Sequence, residues 1–147
     1  MSVKVSERSK SKAEYLNKLL ELNKRIGQTV ANGPKKYQAS YGDRLIATAL
    51  DALAHATEAN SIYVGKGRNS EGDYRLRRDL LLKARGEVIA LSTLASVYFR
   101  IMRDVDAIAP RSAEKAFSRM ESIALLCEDA KSLINGVIKS DRERYHG

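Results

Sequence analysis

At 147 residues, 44% hydrophobic and 30% charged, the chain is long enough to bury a sizeable core and short enough for one domain. Twenty-six Lys and Arg against eighteen Asp and Glu give a formal charge of +8, which attracts polyanions and disfavours cationic partners, with nucleic acid ahead of anionic membrane. The single cysteine, Cys127, excludes an internal disulfide and fits a reducing compartment, and no apolar run is long enough to span a bilayer. The expectation is a soluble, bacterial-type cytoplasmic protein with no membrane role.

The opening "MSVKVSERSKSK" has no apolar stretch and reads as a disordered basic tail over residues 1–12. Tyr15, Leu19, Leu22, Ile26 and Val30 then recur at three- and four-residue steps, predicting a first helix from about Lys12 to Ala31 that stops at "NGP". After "PKKYQASYG", Asp43 can cap a second helix with the stripe Leu45, Ala49, Leu53 and Ala56, reaching Ile62. Three glycines in "VGKGRNSEGD" break the pattern, and Ser70 with Asp73 resembles a capping box. The third and longest helix carries Leu76, Leu80, Ala84, Val88, Leu91, Ala95, Tyr98, Met102 and Val105 up to the break at Pro110. Ser112 can cap a fourth helix with Ala116, Met120, Ile123, Cys127, Ala130, Ile134 and Val137, and residues 140–147 read as a polar tail. Four amphipathic stretches without a strand give an all-α fold, an antiparallel up-and-down four-helix bundle over residues 13–139.

The back of the third helix is unusual. At about 100° per residue, Arg78, Arg85, Arg100 and Arg103 fall opposite the Leu80–Leu91 stripe, and Leu82 and Ile89 project into the same sector, flanked by Leu81 and Phe99. A monomer leaves Leu82 and Ile89 in water, so the expectation is that they mark, with Arg78, a homo-oligomer contact, the competing account being surface leucines scattered at random. Further cations sit at loops and helix starts: Lys35, Lys36, Arg44, Lys66, Arg68, Arg75, Arg77 and Lys83. With Arg78 and Arg85 these form the candidate nucleic-acid or polymerase-binding set, suited to phosphate contacts and not to base reading. Tyr37 and Tyr41 can stack on unpaired bases or cap the core.

Chemistry is harder to find. "GKGR" lacks phosphate-loop spacing, and "SAEK" at Ser112 to Lys115 lacks the companion motifs of penicillin-binding enzymes. His55 has no Cys or carboxylate at metal-ligand spacing, His146 lies in the tail, and Cys127 reads as a small core hydrophobe. No catalytic residue, metal site or cofactor is expected. A helical-bundle ribonuclease of the HEPN type would need its Arg–His signature, and Arg142 to His146 in "RERYH" is one residue short.

Taken together, "GPKKYQASYGDRLIATALDALAHATEA", "LLLKARGEVIALSTLASVYFRI" and "ESIALLCEDAKSLINGVI" resemble the four-helix-bundle family of 23S rRNA intervening-sequence proteins and accessory variability determinant (Avd) proteins of diversity-generating retroelements. The resemblance covers roughly residues 13–138, with Ala84, Glu87 and Leu91 placed as in the family's third helix. It implies a basic, noncatalytic bundle, bacterial or phage-encoded and cytoplasmic, that assembles as a ring-shaped homopentamer. It also implies binding to a reverse transcriptase and its template RNA, with an RNA–DNA hybrid as a further option, in support of mutagenic cDNA synthesis. Avd members often carry a Trp near the final helix and this chain has none, so both branches stay open. The alternatives from the residues alone are a protein-interaction bundle with no nucleic-acid role and the HEPN-like ribonuclease.

Overall fold

The computed structural model describes the backbone of residues 5–104 and 110–146 and the side chains of residues 14–104 and 114–145. Four helices, α1 (Val5–Ala31), α2 (Asp43–Ser61), α3 (Ser70–Asp104) and α4 (Pro110–His146), account for most of these, with no strand among the described residues. The principal contacts run α1 to α2, α2 to α3, α3 to α4 and α4 back to α1, so the molecule is a helical bundle.

The apolar periodicity is what folds it. Tyr15, Leu19, Leu22, Ile26 and Val30 are all buried, as are Leu45, Ala49 and Ala56 of α2 and Ile123, Cys127, Ala130 and Ile134 of α4. Each large aliphatic side chain withdrawn from water contributes about 1.5–3 kcal/mol. Small residues at Ala49, Ala52, Ala56 and Ala59 let α2 approach its neighbours closely. Asn23 Nδ2 joins α1 to α2, donating at 2.9 Å both to the Leu19 carbonyl and to that of Ala49.

Element boundaries differ from the sequence reading in four places. The first helix begins at Val5, inside the expected tail, of which only residues 1–4 lie outside the described residues, as does Val105. A 3-10 turn (Lys35–Tyr37) and a π-helical turn (Gln38–Gly42) run directly into α2, so Asp43 does not cap a free helix end and serves instead as an acidic residue in the first turn. The fourth helix starts at Pro110, whose fixed φ suits a first helical turn, two residues before the expected cap Ser112. It continues to His146, so residues 140–146 are helix and not a tail.

Within α3 the buried sector spans about 120°, from Leu80 round to Tyr74, because the helix packs against both α2 and α4. That sector takes in Leu81 and Phe99, which the sequence reading put beside the exposed patch, and leaves out Leu76, which is 53% exposed. Two glycines are fixed by close approach. A Cβ at Gly42 would stand 2.7 Å from Val30 Cγ1, and one at Gly33 would stand 2.0 Å from the Tyr98 hydroxyl.

Candidate nucleic-acid interface

The ten candidate cations do not form one patch. Lys35 and Lys36 lie in the turn before α2 and Arg44 in its first turn, while Lys66 and Arg68 lie in the connection beyond its other end. From Asp43 to Ala59 the helix rises about 24 Å, so the two groups occupy opposite ends of α2. Among the described residues, Lys35, Arg44, Lys66, Arg68 and Lys83 are exposed and enter no ion pair. Lys36 is exposed with its ammonium 5.2 Å from the Tyr37 ring centroid.

Other candidates are partly committed within the fold. Arg75 pairs with Glu71 one turn back at 3.0 Å, both exposed. Arg78 is half-buried, 3.7 Å from Asp79 and 5.7 Å from the Tyr74 ring centre, and Arg85 donates to Asn135 of α4 at 2.9 Å.

Arg77 is a correction. It is 3% exposed, its Nε donates to Asp141 Oδ2 at 2.5 Å, and its Nη1 donates to the Ala59 carbonyl at 3.1 Å. It neutralises a buried carboxylate of α4 and caps a carbonyl in the last turn of α2, leaving nothing for phosphate. Beside this pair the Tyr15 hydroxyl donates to the Ala56 carbonyl at 3.4 Å. Burial drives its pKa up to about 12, opposed by the Arg77 charge and reinforced by Asp141.

Tyr37 and Tyr41 are half-buried and meet edge to face at 5.7 Å between centroids, which fits the capping role better than stacking. Among the described residues the most exposed aromatic is Tyr63, at 86% against 55% for Phe117, and nothing in the sequence pattern singled it out. It borders an open cleft of about 760 Å³ whose other walls include Lys66, Glu71, Tyr74, Arg144 and Tyr145. The available signal was positional: Tyr63 precedes Val64 in an extended connection, and alternate side chains of such a segment face opposite ways.

On the outer face of α3, Leu82 is 36% and Ile89 50% exposed, and Val97 of the same helix is exposed too. His55, which has no Cys or carboxylate at metal-ligand spacing in the sequence, hydrogen-bonds through Nδ1 to Glu87 Oε1 at 2.5 Å, a contact across the bundle that joins α2 to α3. Among the described residues no group of three or more His, Cys, Asp or Glu could hold a metal ion, and no helix is long and apolar enough to cross a membrane. Cys127 is buried and its thiol is pushed up to about 12 by burial, with the Glu128 charge adding to the shift. That is the opposite of an activated nucleophile.

No family model, curated protein or solved structure matches the chain.

Proposed function

We propose that the chain is a basic, noncatalytic helical bundle that binds structured RNA, acting as an accessory to a reverse transcriptase in the manner the family resemblance implies. The observation that carries the RNA-binding part is the set of exposed cations outside any ion pair: Lys35, Arg44, Lys66, Arg68 and Lys83. Salt bridges elsewhere on the surface neutralise their own partners, whereas these leave a positive field that a phosphate backbone can occupy while releasing counterions. The reverse-transcriptase partner and the pentameric ring rest on the resemblance. The exposed Leu82 and Ile89 supply a surface on which copies of the chain can associate.

The reading takes the four helices as an antiparallel up-and-down bundle. In its support, Tyr15 meets Ala56 while Asn23 meets Ala49, and Arg77 meets Asp141 while Arg85 meets Asn135, so in each pair one number rises as the other falls.

The test is solution mass by light scattering at high salt, with and without a structured RNA, followed by a salt titration of binding. Binding that weakens steeply with salt supports the reading; absent or salt-insensitive binding sinks it. A pentamer at high salt that becomes monomeric in Leu82→Lys/Ile89→Lys supports association through the back of α3. Oligomerisation without RNA affinity leaves a protein-interaction module. RNA cleavage abolished by His146→Ala would establish the ribonuclease.

A further inference from the structure

The cleft at the α2–α3 connection has a composition that structured-RNA binding through phosphates does not call for. Ile62 leaves α2 in extended backbone, φ −84° and ψ 114°, and Val64 is buried, so the intervening Tyr63 is held outward. Its ring rests against Gly65, where an added Cβ would stand 3.3 Å from Tyr63 Cε1. The backbone therefore supports one edge of the ring and leaves 86% of the residue to solvent.

Tyr74 and Tyr145 line the same cleft, their rings tilted at 56° with centroids 5.9 Å apart, and the Arg144 guanidinium lies 5.9 Å from the Tyr145 centroid. The carboxylate in the cleft wall, Glu71, is taken up by Arg75, so Lys66 and Arg144 set the sign of the field inside. A flat exposed aromatic beside two cations matches a ligand with a π face and a negative charge next to it. A cleft of about 760 Å³ has room for it.

We infer that this cleft binds an unpaired nucleobase stacked on Tyr63, with the adjoining phosphates on Lys66 and Arg144. The inference rests on the RNA-binding reading and adds a single-strand site to it, the base coming from a single-stranded segment or from a free nucleotide. Duplex RNA, whose bases are stacked within the helix, does not use it.

The experiment is fluorescence anisotropy of two labelled probes, a short single-stranded oligoadenylate and an RNA duplex of equal length, with AMP as unlabelled competitor. Tyr63→Ala weakens the single strand by about 5- to 150-fold, the range of one lost stacking contact, and leaves duplex affinity unchanged. Tyr63→Phe keeps the ring and restores binding. Lys66→Gln with Arg144→Gln lowers the slope of log affinity against log salt by about 1.4 on the single strand. Competition by AMP assigns the site to free nucleotides, and failure to compete while the strand binds assigns it to single strands. Duplex binding with a single-strand affinity indifferent to Tyr63→Ala overturns the inference and spares the broader reading, and no binding of either probe overturns both.

Discussion

Arg77 and Asp141 show how much one residue's environment changes its meaning. An Arg within a basic run reads as surface, yet here it is enclosed with a carboxylate from the far end of the chain and a helix carbonyl. Removing one member leaves the other charge buried and unpaired, so Asp141→Ala or Arg77→Ala is expected to cost about 3–5 kcal/mol, read as a lower urea midpoint. Replacing both by Leu and Met costs much less, because no charge is then stranded. A second residue-scale prediction concerns alkali. The folded-state values of Cys127 and Tyr15 lie above their ordinary 9.0 and 10.0, each at about 12, because burial disfavours their anions. Unfolding therefore releases protons above pH 9, and the stability these groups contribute is complete below that pH and lost as it rises towards 12. Urea midpoints should fall across this window, and Cys127→Ala should delay the onset to about pH 10, where Tyr15 begins to matter.

At the scale of elements, glycines separate close approach from mere tolerance. Gly42 has helical backbone angles, so alanine there gains about 1 kcal/mol of helix propensity, but its Cβ meets the stiff, buried Val30. Overpacking of that kind costs about 1–3 kcal/mol, so Gly42→Ala should be neutral to destabilising. Gly136 lies in α4 with nothing within 4 Å of an added Cβ, and Gly136→Ala should stabilise by about 0.5–1 kcal/mol, both substitutions being read as shifts of the urea midpoint. The register of α3 and α4 was also more legible than its reading. Arg77 is one heptad before Ala84, and Asp141 one heptad after Ile134, both of which are buried. The apolar stripes thus continue into a charged pair at the same end of the bundle, and a search for opposite charges in stripe positions would have found it. Tyr63 and the cleft had no such periodic signal, because a loop's side chains are aimed by its anchors.

For the whole molecule, the charge of +8 matters through its distribution. With cations at both ends of α2, an RNA that spans the bundle touches both groups. Neutralising Lys35, Lys36 and Arg44 to Gln should then lower the salt slope for duplex RNA by up to about 2.7, and so should Lys66, Arg68 and Lys83, with additive effects. If one triple changes nothing, RNA sits at the other end alone. The sequence by itself determined the four helices and most of their buried faces, because a 3.6-residue period converts directly into a stripe that must leave water. It also determined the net charge and hence the class of partner worth testing. Only the tertiary structure decided which cations remain for a ligand, which aromatics stand in solvent and which polar groups meet in the core. Those depend on residues far apart in sequence, such as 77 with 141 and 63 with 145, being brought together when the helices pack.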